Sequence, residues 1–102
     1  MKVFISQPMR GIPDKEIKAV RSIELERLYE KGFIPRDATI IDQILPPENP
    51  DGANVRIWCL GRSLQMMAEA DLVVFIGDWE NSNGCIAEHG ICELYRIPML
   101  IL

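Results

Sequence analysis

A run of five consecutive apolar residues, Leu72 to Ile76, constrains the fold of this chain more than any other feature of its sequence. Three of the five side chains are β-branched, which favours a strand. A strand that is apolar at every position suits burial on both faces, as in parallel sheets that carry helices on either side. The run therefore predicts one strand of a buried parallel sheet.

The rest of the chain alternates between strand-like and helix-like segments. Strands are predicted at Lys2–Ser6, Phe33–Asp42, Leu72–Ile76 and Met99–Leu102. Helices are predicted from about Pro13 to Lys31, from Val55 to Ala70 and from Gly84 to Arg96, and the Pro-rich segment 46–52 is predicted to be a loop. This alternation defines the α/β class. We expect a three-layer αβα sandwich, flavodoxin-like, with a parallel four-stranded sheet in the order 2-1-3-4, and a single domain over residues 1–102.

Charge and cysteine content exclude several classes of protein. The chain has 11 basic and 15 acidic residues, a net charge of −4, and no run of like charges. Nucleic acid polymers and anionic membranes are therefore not expected as partners. Three cysteines without a CxxC pair, together with one histidine, argue against a disulfide framework and a zinc cluster. We expect a cytoplasmic protein with no bound metal and no membrane span.

Two features favour self-association. A chain of 102 residues hides only about two-thirds of its unfolded surface on folding, so pairing with a second copy would bury more. The first helix also has apolar residues on a second side, because Ala19 and Ile23 lie opposite Ile17 and Leu28. We expect a homo-oligomer, a dimer or larger.

The predicted strand order reverses between strands 1 and 3. Ligands of such sheets bind beyond the carboxyl ends of the strands at this switch point. The loops that meet there are 7–11, after the first strand, and 77–83, after the third. We therefore look for functional residues in these loops and in the first turns of the helices that follow them.

The third helix places one carboxylate on its apolar face. Glu88 shares that face with Gly84, Ile91 and Cys92, whereas His89 and other polar residues lie on the opposite side. A carboxylate at this position is costly to desolvate unless something binds it. It is either a functional group or a structural one, which would accept hydrogen bonds from loop amides or pair with Arg10.

The first loop is a candidate anion site. It joins a strand to a helix, where backbone N–H groups and the helix dipole favour a phosphate, and Arg10 could clamp it. The alternative is a turn whose arginine is simply solvated. The loop has a single glycine and no Lys-Ser/Thr pair, so it is neither a P-loop nor a dinucleotide fingerprint, and we expect no cofactor.

Three motifs together resemble one known family. Residues 4–11, the segment 70–74 and residues 82–90 are similar to the nucleoside 2-deoxyribosyltransferase superfamily, and most similar to its short phage-type and bacterial members without an assigned activity. The chain also resembles the hydrolases of that superfamily that cleave 2′-deoxynucleoside 5′-monophosphates. Their first loop ends in a similar Arg-Gly, and their third helix has a serine six residues before the catalytic glutamate, as Ser82 precedes Glu88 here.

The resemblance implies a covalent mechanism at an anomeric carbon. Glu88 matches the nucleophile that attacks C1′ of a deoxyribose, and the helix N-terminus would keep it ionised. Ser82 matches the residue that holds the 5′ end of the sugar, with Asp78 as the alternative. The residues expected to contact substrate are Ser6, Gln7, Met9, Arg10, Gly11, Asp78, Ser82, Asn83 and Gly84.

The sequence also departs from the family pattern. Active members have an aspartate in the second helix that handles the proton of the leaving base, and Ser63 occupies that position here. Members also borrow a residue from a neighbouring subunit, supplied by chain beyond the fourth strand, which this sequence does not include. The second hypothesis is therefore a nucleotide-binding or sensing module on the same fold, with little or no turnover.

Three further side chains lie near the predicted site. We expect His89 to be a surface residue, because it is about 100° away from Glu88 around the helix. Trp58 and Trp79 flank the expected mouth, where each could stack on a base, pack in a lid or contact a second subunit.

Overall fold

The computed structural model describes residues 1–41 and 54–102. It contains one sheet of four parallel strands, β1 (Lys2–Ser6), β2 (Thr39–Ile41), β3 (Leu72–Phe75) and β4 (Met99–Ile101), in the order β2-β1-β3-β4. The predicted fold class and strand order are confirmed. The predicted 46–52 loop and the predicted end of the second strand at Asp42 lie outside the described residues.

Three helices connect the strands. They are α1 (Asp14–Glu30), α2 (Val55–Met67) and α3 (Asn83–Tyr95), with a 3₁₀ turn at Trp79–Asn81 before α3. Side chains cap two of them: Asn54 accepts a hydrogen bond from Ile57 N at 3.1 Å, and Ser82 accepts one from Cys85 N at 3.4 Å.

The second strand is shorter at its start than the sequence predicts. The prediction placed its start at Phe33, but β2 begins at Thr39. The intervening residues turn, and Ala38 N donates to Pro35 O at 3.1 Å. Proline has no N–H to offer a sheet, so the chain joins the sheet only after this turn. Ile34 is nevertheless 2% exposed and belongs to the core.

The sheet separates two apolar cores. On one face, the side chains of Val3, Ile5, Val74 and Ile76 pack with Leu28 of α1. On the other face, the buried residues come from both the sheet and the two remaining helices: Phe4, Val73, Phe75, Met67 and Cys92. Alternate residues of β1 and β3 thus face opposite layers, as a strand with a side-chain period of two requires. Residues 73–76 are buried on both sides of the sheet, as the composition of the run predicts, and Leu72 is half-buried.

The carboxyl ends of β1 and β3 bring the two predicted loops together. Ser6 pairs with Phe75 in the sheet, and Ile76 N donates to Ser6 O at 3.0 Å. Gly77 follows with a φ of +69°, and a Cβ built there would lie 3.6 Å from Cδ of Pro8. The positive φ favours glycine at this sharp turn. The loops after β1 and β3 are therefore in contact where the strand order reverses.

Candidate functional site

Glu88 is a buried carboxylate above the end of β1. It is the sixth residue of α3 and is 6% exposed. Its Oε1 accepts a hydrogen bond of 3.0 Å from the hydroxyl of Ser6, the last residue of β1. The helix and the strand thus hold the carboxylate at the switch point of the sheet.

The second oxygen of this carboxylate is not satisfied. Within the described part of the chain, Glu88 Oε2 is buried and has no hydrogen-bond partner. Neither a loop amide nor Arg10 donates a hydrogen bond to this oxygen. The structural role proposed for Glu88, in which such groups bind it, therefore does not account for Oε2. Buried polar atoms are almost always hydrogen-bonded, and an exception calls for an explanation. An acceptor directed at a ligand is one such explanation.

Burial raises the pKa of Glu88 to about 7, and the hydrogen bond from Ser6 opposes this rise only in part. Burial thus acts against the ionisation that the helix N-terminus is expected to favour, and that expectation stays a prediction. The dipole acts mainly within the first turn of a helix, and Glu88 lies beyond it. Burial therefore favours the protonated form of Glu88 relative to an exposed glutamate.

A buried thiol lies one turn before the carboxylate on α3. Cys85 is 2% exposed, and burial raises the pKa of its thiol, while hydrogen bonds with Ser6 and Ser82 lower it. The net direction is upward, so the thiol is neutral at physiological pH and is a poor nucleophile. Ser6, Ser82, Cys85 and Glu88 form one small polar group at the base of α3, which we call the Glu88 cluster.

Gln7 connects the first loop to α1. Its side chain is buried, its Nε2 donates to Ile17 O at 3.2 Å, and its Oε1 accepts from Arg21 Nε at 3.0 Å. These contacts fix the loop against the helix. The role of Arg21 was missed by the sequence reasoning, although an arginine on the apolar face of the first helix was the available signal.

The rest of the first loop forms a turn at the surface. Ile12 N donates to Met9 O at 3.1 Å, and Gly11 has a φ of +73°. Met9 is half-buried, whereas Arg10 and Gly11 are exposed. The guanidinium is therefore accessible to an anion, and its predicted contact with substrate stays a prediction.

The second loop places its candidate residues at the surface as well. Asp78 is exposed and its Oδ1 accepts from Asn81 Nδ2 at 2.8 Å, which closes the 3₁₀ turn. Asn83 and Gly84 are the exposed first residues of α3. A Cβ built at Gly84 would meet only Ser82 Oγ, at 4.0 Å, so there is free space beside the Glu88 cluster.

An aromatic stack fixes the 3₁₀ turn on the body of the protein. The ring of Trp79 is stacked on His89, with centroids 4.8 Å apart, and both rings contact the buried Phe75. His89 Nδ1 lies 2.9 Å from Oε1 of Glu93. His89 is therefore partly buried rather than fully at the surface, and Trp79 packs against the core layer that holds α2 and α3.

Ser63 occupies the position where the resembled family has an acid. It is half-buried on α2 and lies one turn before the buried Met67, which packs with Cys92 of α3. A serine hydroxyl does not supply a proton as a carboxylic acid does. Trp58, the other aromatic side chain expected at the mouth, is half-buried on the first turn of the same helix.

Two surface hollows lie on the side of the sheet that α1 covers. One, of about 220 Å³, is lined by residues of the first loop and α1 together with Gly77 and Asp78. The other, of about 390 Å³, is lined by the second half of α1, Phe33, Gly77 and Leu102. Glu88 lines neither of them. The Glu88 cluster and these hollows are thus separate features.

The fold and the site define a doubly wound α/β protein with a buried carboxylate at its switch point. The chain belongs to the family described as a domain of unknown function (DUF4406), whose model matches residues 1–101. Comparison with curated proteins and with solved structures found no match. Among residues 1–41 and 54–102, no group of three or more His, Cys, Asp or Glu side chains could hold a metal ion, and no helix is long and apolar enough to cross a membrane.

Proposed function

We propose that the protein cleaves the N-glycosidic bond of a 2′-deoxynucleoside or of its 5′-monophosphate, as a hydrolase or a deoxyribosyltransferase, with Glu88 as the nucleophile. One observation carries this proposal: a carboxylate that is 6% exposed, with one oxygen held by Ser6 and the other without a partner. The motifs that resemble the nucleoside 2-deoxyribosyltransferase superfamily support it, because Glu88 matches the nucleophile of that family.

The proposed reaction has two steps. In the first, Oε2 of the ionised Glu88 forms a bond to C1′ while the bond from C1′ to the base nitrogen breaks, and the base leaves with the electron pair and is protonated by solvent water. In the second, water or another base attacks C1′, the bond from C1′ to Oε2 breaks and frees the carboxylate, and the attacking group loses its proton to solvent. Ser6 holds the first oxygen, so it orients the carboxyl plane in both steps. Ser82 and Arg10 would bind the sugar or its 5′-phosphate.

The side chain at position 63 favours a second candidate function. General acid catalysis contributes about 10²–10⁴-fold to rates, and the family's acid is replaced by Ser63. The protein could then bind the same ligand with little turnover. Substrates whose base leaves easily would react fastest if the first proposal holds, because they depend least on that acid.

Product analysis tests the proposal directly. The purified protein is incubated with the common 2′-deoxynucleosides and their 5′-monophosphates, with and without a free acceptor base, and the released base is measured by chromatography. We expect release that Glu88→Gln abolishes and that Glu93→Gln retains, since Glu93 is an exposed residue on the same helix. Mass spectrometry of acid-quenched protein should show a deoxyribosyl adduct on the peptide that contains Glu88. Thermal stabilisation by a nucleotide without any release would support the binding module instead.

A further inference from the structure

An exposed stripe runs along one flank of α1, about 110° around the helix from its buried residues. Glu16, Val20, Ile23 and Arg27 are spaced by four, three and four positions, so they share one face of the helix. The two apolar members are 44% and 57% exposed. This stripe, which we call the α1 stripe, has Glu16 towards one end, Arg27 towards the other and two apolar residues between them.

The two hollows lie beside opposite ends of the α1 stripe. Ile12, Glu16 and Val20 line the smaller one, near the start of the helix. Arg27, Lys31 and Phe33 line the larger one, near its end. Ile12 and Phe33 are 37% and 53% exposed, so each hollow has an apolar residue open to solvent.

The order of charges makes the α1 stripe complementary to an inverted copy of itself. An antiparallel pair of α1 helices centred between residues 21 and 22 places Glu16 opposite the partner's Arg27, and Val20 opposite the partner's Ile23. Two-fold symmetry repeats both contacts, as an isologous interface requires. Arg27 NH1 is 3.1 Å from Glu24 Oε1 in its own chain, which holds the guanidinium on the helix surface.

We propose that the α1 stripe is the contact surface of a two-fold symmetric homodimer, in which two α1 helices pack antiparallel. The apolar pairs form the centre of the contact, and the ion pairs of Glu16 with the partner's Arg27 form its rim and fix the orientation. In this arrangement the smaller hollow of one protomer meets the larger hollow of the other. Ile12 then lies at the same end of the contact as the partner's Phe33.

The exposed face of α3 fits a symmetric partner less well. It carries Ile86 and Leu94, which are 47% and 77% exposed. The residues in line with them on the helix are Asn83, Gly90 and Glu93, so that stripe carries charge of one sign only and cannot form ion pairs with an inverted copy of itself. It therefore supplies a matched control surface.

Sedimentation and light scattering of designed variants test the proposal. We expect the wild type to dimerise reversibly at concentrations up to about 100 µM, and Ile23→Asp to remain monomeric while Leu94→Asp dimerises normally. Arg27→Glu should raise the dissociation constant at least about tenfold, because it faces the partner's Glu16 twice. The double variant with Glu16→Arg and Arg27→Glu should restore most of the affinity. Circular dichroism checks that each variant is folded.

Three results would overturn the proposal. The first is a wild type that stays monomeric over the whole concentration range. The second is a dimer that survives Ile23→Asp or is lost with Leu94→Asp, since either places the contact elsewhere. The third is a charge reversal that the double variant does not rescue. None of these outcomes depends on whether Glu88 reacts with a nucleoside.

Discussion

The ionisation of Glu88 links the candidate site to the stability of the whole protein. Its pKa is raised to about 7 in the folded protein, from about 4.5 for an ordinary glutamate. Between these values the folded protein binds a proton that the unfolded chain has released. Folding is therefore favoured by protonation of this group, and its contribution to stability is fully present below about pH 4.5 and lost as the pH rises through about 7.

Glu88→Gln should therefore stabilise the protein at alkaline pH. The glutamine keeps an oxygen for the hydrogen bond from Ser6 but never becomes an ion. We expect its free energy of unfolding to match that of the wild type at about pH 4 and to exceed it by up to about 3 kcal/mol at about pH 8. Urea titrations across this range measure the difference. Glu93→Gln is the control, and an equal effect of that variant at every pH would contradict the prediction.

The same ionisation sets the pH dependence of the proposed reaction. Only the carboxylate form of Glu88 can attack C1′, so kcat/KM should rise with pH through about 7 and level off above it. Ser6→Ala removes the hydrogen bond that lowers the pKa, so its midpoint should lie at a higher pH than that of the wild type. Initial rates over a pH series give both midpoints. A wild-type rate that falls as the pH rises through 7 would identify the protonated form as the active one.

At the scale of elements, the start of α3 is stabilised by a side-chain cap, Ser82. The hydroxyl of Ser82 accepts from Cys85 N and so satisfies one of the four free N–H groups at the helix N-terminus. The same hydroxyl belongs to the Glu88 cluster. The cap and the site are therefore one local structure.

Ser82→Ala should lower the free energy of unfolding by about 1 kcal/mol, because alanine leaves that N–H without an acceptor. Ser82→Asp replaces the lost acceptor and suits the helix dipole, so it should recover most of the stability. Thermal or urea unfolding measures both. Ser22→Ala, on the exposed surface of α1, should change stability by less than about 0.5 kcal/mol. Equal losses at the two serines would mean that the cap contributes little.

The elements also show how far the sequence predicts the structure. The strand that begins at Leu72 and the helix that carries Glu88 follow from local composition and periodicity, and the structure contains both, with the strand ending at Phe75. The late start of β2 was not predicted from the sequence. Ile34 is buried as a strand residue would be, although the chain turns at Pro35 and does not yet pair with the sheet. Periodicity also placed Glu88 on the face that packs inward.

The contact between Ser6 and Glu88 joins residues 82 positions apart, so no local pattern specifies it. The raised pKa of Glu88 could not be predicted from the sequence for a similar reason. It depends on how deeply the carboxylate is buried, whereas the sequence gives only its position along α3. The stack of Trp79 on His89 is likewise a product of tertiary packing.

At the scale of the whole molecule, one helix covers one face of the sheet while two cover the other. Leu28 of α1 is 1% exposed and joins the core on the first face, whereas Ile23 of the same helix is 57% exposed. The free energy of unfolding of a single protomer should therefore depend on Leu28. The additional stability that dimer formation gives at high protein concentration should depend on Ile23. The two contributions can be separated by dilution.

Leu28→Ala should lower the free energy of unfolding by about 2–5 kcal/mol at every protein concentration, because it removes buried methyl groups and leaves a cavity. Ile23→Ala should leave the dilute protein unchanged, yet remove most of the rise in the unfolding temperature that a dimer shows on concentration. Scanning calorimetry over about a hundredfold range of concentration measures both effects. A wild-type unfolding temperature that does not change over this range would contradict the α1 dimer, whereas the effect of Leu28→Ala would still follow from the core. A concentration dependence that Ile23→Ala leaves intact would place the dimer contact on another face of the molecule.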